Sequence, residues 1–279
     1  LLNAIAAYTR ILLVIARAST VNASEDRAAR CAIAIMAKAP GAGRTKTRLS
    51  PMLSPEEATA LGCCFLRDMT ANIALAGRSV AVDPYVAFAP AGSEAAFDGI
   101  VEPGTQFVLA DGSAPAPKGV VALGASLLQA MSSLLARGYG GVALLNADSP
   151  NLPTTRLIEA ARLLMSPEER IVLGPSTDGG YYLIGAKAAY PDLFRSIDWS
   201  TPRVVEQTRE RVAALGVPLV ELTPWYDVDD PASLRRLLAD LQPEFMAAGD
   251  AYAAPATRRF LAEHCIADRL TADLADAGM

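Results

Sequence analysis

The segment KAPGAGRTKTRL sets Lys38, Arg44, Lys46 and Arg48 around Gly41 and Gly43, in a chain whose 30 acidic and 25 basic side chains leave a net charge of −5. Lysine is scarce: of four in the sequence, Lys38 and Lys46 stand here, and Lys118 and Lys187 stand elsewhere. Cations crowded on one loop cannot neutralise one another, and glycines let backbone amides come close to a ligand, so the loop has the ingredients for gripping phosphate. A solvated basic turn is the plainer alternative. The Walker pattern fails, because it needs glycine where the chain has Thr45 and Pro40. The dinucleotide fingerprint fails too, since its third glycine would fall on Lys46.

Acids follow in four further segments. In NADSPNLP, Asp148 ends an apolar run, where a carboxylate must cap a helix, pair with a cation or hold a metal. Facing a basic phosphate loop, it is what a Mg²⁺-bridged nucleotide needs. In GPSTDGGYYLIGAK, Asp178 precedes Gly179 and Gly180; this is either a tight turn or a place where backbone approaches a sugar while Asp178 accepts from its hydroxyls. DWST sets Trp199 beside Ser200 and Thr201, an indole for core, lid or ligand and two hydroxyls able to cap the next helix. In WYDVDDPASL, Asp230 and Pro231 mark a helix start, while Asp227 and Asp229 alternate on extended backbone and share a face, so that either could supply a second metal carboxylate. The one histidine, His264, lies in the tail, which argues against Ser/His, Cys/His and His-rich zinc chemistry. Metal-assisted phosphoryl or glycosyl transfer suits that restriction, because positioning and charge neutralisation carry much of the catalysis.

These segments need strands to deliver them. The run Cys31 to Ala37 reads as a strand whose carboxyl end opens into the basic loop, the usual ligand edge of an open α/β sheet. Pro55 to Arg78 reads as a helix with Ser54 as N-cap, and Thr154 to Met165, Pro202 to Leu215 and a helix opened by Asp230 follow further along. Strands are expected at Val80 to Pro90, Thr105 to Leu109, Gly141 onward, the pair IVLGP and YYLIGAK, and Pro218 to Leu222. The alternation predicts an α/β fold, doubly wound on a mostly parallel sheet, as one domain over residues 30–241, with a helix and linker over 1–29 and a helical tail over 242–279.

The acidic balance argues against nucleic acid as a partner. Cys31, Cys63, Cys64 and Cys265 lack metal-type spacing and read as reduced thiols of a cytoplasmic protein. The apolar start, LLNAIAAYTRILLVIARAS, is broken by Arg10 and Arg17, leaving less than the ~20 residues a bilayer span needs. It is expected to be an accessory helix, with a membrane-surface or homodimer contact, or targeting, as alternatives.

In this order KAPGAGRTKTRL, LLNADSPNLP, GPSTDGGYYLIGAK, WST and WYDVDDPASL resemble a bacterial family of GT-A-like proteins, the arsenosugar-biosynthesis-type glycosyltransferases, over roughly Ala32 to Leu238. The wider superfamily of nucleotide-diphospho-sugar transferases includes 2-phospho-lactate guanylyltransferase, which is similar in the Lys-Thr-Arg-Leu loop and the strand-end aspartate. The resemblance implies a Rossmann-like, mostly parallel mixed sheet of GT-A type and a divalent cation, Mg²⁺ or Mn²⁺. It implies a nucleotide held by Lys38, Ala39, Pro40, Gly41, Gly43, Lys46 and Arg48, a metal on Asp148, and an acceptor or sugar side at Asp178, Gly179, Gly180, Tyr181, Trp199, Ser200 and Thr201. The superfamily's nucleotidyltransferases add a second metal ligand matching Asp229. Where family members carry a Gly-Asp-Leu-Gly-Glu-Arg stretch, this chain has VVALGAS, keeping only Leu123 and Gly124.

Three readings follow. The first is a metal-dependent transfer of sugar from a nucleotide sugar to a small-molecule acceptor, with Lys46 and Arg48 on the diphosphate and Asp178 on the acceptor. The second joins a nucleoside monophosphate from a nucleoside triphosphate to a phosphorylated small acid or sugar, and the third binds nucleotide without turnover. Each requires Lys46 and Asp148 on one side of the molecule, flanking a cation and a diphosphate.

Overall fold

A computed structural model describes residues 26–41, 46–49, 52–244 and 251–270. Gly43 and the apolar start at 1–25 lie outside the described residues. Seven strands form one sheet: β1 (Cys31–Lys38), β2 (Val82–Ala89), β3 (Gln106–Leu109), β4 (Gly141–Leu145), β5 (Ile171–Pro175), β6 (Tyr181–Ala186) and β7 (Leu219–Glu221). Their order is β3-β2-β1-β4-β6-β5-β7, parallel except for β6, which runs against both β4 and β5. The chain winds outward from β1 through β2 to β3, then crosses back to β4 on β1's other side. The carboxyl ends of β1 and β4 therefore flank the switch point, where open α/β sheets bind ligands.

Helices cover both faces. On one side α1 (Pro55–Ala76) and α3 (Thr154–Met165) bury Leu66, Met69, Ile73, Leu157 and Leu164 against Cys31, Ile33 and Ile35. On the other, α2 (Leu123–Ala136) and α4 (Val204–Leu215) set Leu127, Met131, Leu134 and Val212 over Ala32 and Ala34. Burial on both faces is why β1 and β4 read as continuous apolar runs rather than alternating ones.

Local chemistry sets the helix starts. Ser54 and Glu57 form a capping box with Pro55 in the first turn of α1, and Asp230 and Ser233 do the same for α5 (Pro231–Asp240). At α4 the expectation fails: the N-cap is Arg203, with no side-chain cap, and Thr201 Oγ1 instead accepts from the Arg203 amide at 3.3 Å while donating to Asp198 O.

A third apolar cluster lies off the sheet. Leu49, Leu61, Phe65, Val228, Leu234 and Phe260 tie the end of the basic loop, the start of α1, the segment before α5, and α6 (Pro255–Glu263) into one unit. Burying each Leu, Val or Phe contributes ~1.5–3 kcal/mol, which fixes Leu49 and Val228 beside the residues that matter next. Among the described residues no helix is long and apolar enough to cross a membrane.

Candidate active site

Lys46 and Asp148 meet at the switch point. Lys46 adopts a left-handed backbone, φ +52, which costs a residue with a side chain about 1–3 kcal/mol and persists only where contacts hold it. Its ammonium supplies those contacts, donating to Asp148 Oδ1, to the Val228 carbonyl at 2.6 Å and to Asp229 Oδ1 at 3.1 Å. It also lies 4.9 Å from the centre of the Phe65 ring. The lysine side chain is only 5% exposed, whereas each carboxylate keeps 37%. Burial alone would lower the lysine's proton affinity, but Asp148 and Asp229 outweigh it and hold the ammonium above its ordinary value. Helix capping is not the use of Asp148, since Pro153 occupies the cap of α3.

A backbone bond helps set the spacing of the two acids. The Val228 amide donates to Asp148 O at 2.8 Å, so one peptide unit joins the end of β4 to the approach to α5. Asp227 has a separate part: it accepts from Asn146 Nδ2 at 2.6 Å, Ser149 Oγ at 2.8 Å and Ser176 Oγ at 2.9 Å. Burial, with the Asp148 charge beside it, pushes its carboxyl up to about 6. Asp227 thus knits the ends of β4 and β5 together, and Asp229 is the acid that shares a cation with Asp148.

Two cavities open beside this pair. The first, about 280 Å³, is walled by Met36, Ala37, Lys38, Pro40 and Lys46 and by Thr59, Gly62 and Cys63 of α1. The second, about 470 Å³, holds Arg48, Asp178, Gly180, Tyr181, Trp199, Ser200 and Thr201. Asp148 and Asp229 line both. Of the residues expected on the nucleotide side, Lys38, Pro40 and Lys46 line the first cavity, whereas Arg48 lines the second among residues expected on the acceptor side. Arg48 is exposed, and among the described residues it makes no ion pair; Asp230 is held below its ordinary value mainly by hydrogen bonds from Ser233, with a small part from the Arg48 charge.

Three residues expected at the ligand make contacts within the protein or lie away from both cavities. Gly179 is left-handed at φ +90, and a side chain there would meet Pro202 O at 2.2 Å, so its missing Cβ makes room for the approach to α4. The Ala39 amide is already donated to Ala89 O at 2.7 Å, extending the β1–β2 ladder. Ala39, Gly41 and Gly179 line neither cavity. Lys46 and Asp148 touch directly, so a diphosphate fits between them only once the ammonium moves. Asp178 accepts from the Gly180 amide at 2.9 Å, a turn bond that aims its carboxylate at the second cavity's rim.

Other features were not anticipated from sequence. Asn146, Ser149 and Ser176 serve Asp227, and the signal available was small polar residues at apolar strand ends. The wall from Thr59 to Cys63 carried none. Tyr181 and Trp199 meet edge-on with centroids 6.5 Å apart, and the Tyr181 hydroxyl and Trp199 Nε1 are buried without a partner among the described residues. Trp199 packs where a Gly124 side chain would stand, 3.0 Å away, while neighbouring Val121 and Leu123 remain 59% and 47% exposed.

Residues 72–201 match a protein-family model described as an uncharacterized protein conserved in bacteria, DUF2064. Among solved structures, the chain is similar to a protein from Desulfovibrio desulfuricans G20 provisionally described as a nucleotide-diphospho-sugar transferase, at 27% identity and a TM-score of 0.71, covering 87% of this chain and 96% of that one. Fainter likeness extends to CMP:2-keto-3-deoxy-manno-octonic acid synthetase complexed with CTP, at 13% identity and a TM-score of 0.47 over 75% of this chain and 97% of that one. It extends also to Rv0371c of Mycobacterium tuberculosis H37Rv complexed with manganese, at 17% identity and a TM-score of 0.42 over 75% and 98%. No curated protein matches the sequence. The fold is a GT-A-like Rossmann fold in a single α/β domain. The likeness reaches the superfamily of nucleotide-diphospho-sugar transferases and does not single out the arsenosugar-type branch.

Proposed function

We propose that the protein is a divalent-cation-dependent glycosyltransferase that moves a sugar from a nucleotide-diphospho-sugar to a small-molecule acceptor. One observation carries the reading: carboxylates from the ends of two distant segments, Asp148 and Asp229, converge on a single cation between two cavities at the switch point. The Desulfovibrio relative's description supports the donor class.

The donor set fits Mg²⁺ or Mn²⁺. The lysine ammonium stands in for a cation between two hard oxygen donors, and these ions take one or two carboxylates together with phosphate oxygens and water. Among the described residues no group of three or more His, Cys, Asp or Glu side chains could hold a metal, so in this reading phosphate oxygens and water complete the set. When bound, the ion would neutralise the diphosphate and ease its departure. In this reading Lys38 and Pro40 wall the nucleotide side, Arg48 and Lys46 take phosphate charge, and Asp178 receives the acceptor's hydroxyl proton across the second cavity. Asp227, locked by three neutral donors, keeps the two metal-binding acids in register.

A nucleotidyltransferase is the second reading, favoured by the pairing of Asp229 with Asp148, the carboxylate pair those enzymes use. There an acceptor phosphate oxygen attacks the nucleotide α-phosphorus, the bond to the β-phosphate breaks, and pyrophosphate leaves without a protein base. Products separate the two: a nucleoside diphosphate from a sugar nucleotide supports the first, and pyrophosphate from a nucleoside triphosphate the second.

Asp148→Asn tests both. It should weaken Mn²⁺-dependent nucleotide binding about tenfold or more, a change of ~1.4 kcal/mol, with an unchanged circular dichroism spectrum. Equal Mn²⁺-dependent affinity in calorimetry would refute the metal assignment.

A further inference from the structure

Lys46 commits all three ammonium protons inside the protein, to Asp148, Val228 O and Asp229, and its side chain is 5% exposed. A ligand phosphate cannot reach a charge so covered unless the side chain withdraws. The same two carboxylates are the donors a divalent cation would use, and an ammonium seated between them repels a second positive charge. We propose that Lys46 is a resident counter-cation that competes with the metal for Asp148 and Asp229 and so makes metal and phosphate bind as one unit. The inference rests on the reading that these two acids hold the metal.

The chemistry of each part supports the exchange. Two carboxylates set side by side repel, and a partly buried pair left without a cation would push its segments apart, so a tethered ammonium keeps the end of β4 and the approach to α5 assembled. Lysine suits the task because its charge is a point at the end of a flexible four-carbon stem, able to swing from carboxylate to phosphate by side-chain rotation. Arg48, exposed at the second cavity, makes no such contact and cannot play this part. A phosphate arriving in the site draws the ammonium away, and the vacated oxygens take the metal that the phosphate brings. Each ligand alone must work against Lys46. Together they satisfy every charge.

Mn²⁺ binding to the full chain, followed by the loss of the free-ion electron paramagnetic resonance signal and without nucleotide, tests this. Lys46→Met should bind Mn²⁺ roughly 5- to 150-fold more tightly than wild type, the usual span of a coupling between sites, while Lys46→Arg, which keeps a cation, stays as weak as wild type. Equal affinity in wild type and Lys46→Met, abolished in both by Asp148→Asn, overturns the competition and leaves the metal site standing. Mn²⁺ binding that ignores Asp148→Asn sinks the metal reading and the competition together. A measurement on wild type alone removes dependence on the variants' folding: inorganic pyrophosphate and Mn²⁺ together should raise the melting temperature by more than the sum of their separate shifts. Additive shifts overturn the proposal.

Discussion

Gly179 shows how narrow the tolerance is around the second cavity. Its φ of +90 disfavours any side chain, and a methyl group would land 2.2 Å from Pro202 O and 2.6 Å from Pro202 Cα, both backbone atoms with nowhere to go. Gly179→Ala should therefore lower unfolding free energy by about 1–3 kcal/mol from strain alone, more with the clash, measurable by urea titration. A ligand-contact glycine would instead lose affinity with stability intact. Asp148 was legible in the sequence because a charged residue just past an apolar strand has few uses, and Lys46 because scarce lysines cluster on one loop. The division of labour between Asp227 and Asp229 was not. Alternation gives both the same face, and only the tertiary placement of Asn146, Ser149 and Ser176 on one and Lys46 on the other separates them.

At the scale of elements, the sheet's other edge supplies a control. Arg30, just before β1, donates from Nη2 to Asp83 Oδ1 at 2.5 Å on β2, and the Tyr139 hydroxyl donates to the same carboxylate at 2.8 Å. Burial would raise the Asp83 carboxyl, but the bonds from Arg30 and Tyr139 prevail and hold it below its ordinary value. The folded state therefore binds fewer protons than the unfolded one just below the ordinary carboxylate range. The stability this confers is full at neutral pH and is lost as the pH falls below about 4, through the folded value. Asp83→Asn should cost about 1–3 kcal/mol at pH 7 and flatten the acid limb of a urea midpoint series against pH, with Mn²⁺ and nucleotide affinity unchanged. The cap made α1 readable, since it begins after the expected Ser54, and α3 runs over the expected residues without any side-chain cap. The reversal of β6 was not readable, since YYLIGA is buried almost throughout and an apolar run has no direction. Nor was the start of α4, where a hydroxyl pair promised a cap that the turn at Ser200, φ +63, carries out of reach.

For the molecule as a whole, the tail is joined to the site through α1. Asp68, a buried acid on α1, accepts from the amides of Ala256 at 2.9 Å and Thr257 at 2.7 Å and so caps α6 from outside. Asp68→Ala should cost ~1–2 kcal/mol through the lost cap, seen as a lower melting temperature, and should weaken nucleotide binding as well. Composition could not announce this, because an acid inside a helix gives no hint that it serves another helix nearly two hundred residues away. The consequence reaches further than stability. About one and a half turns upstream of Asp68, the same helix presents Gly62 and Cys63 to the first cavity. Damage to the far end of the polypeptide would therefore announce itself as poor grip on a small molecule, and a screen for activity would find lesions in residues that never touch the substrate.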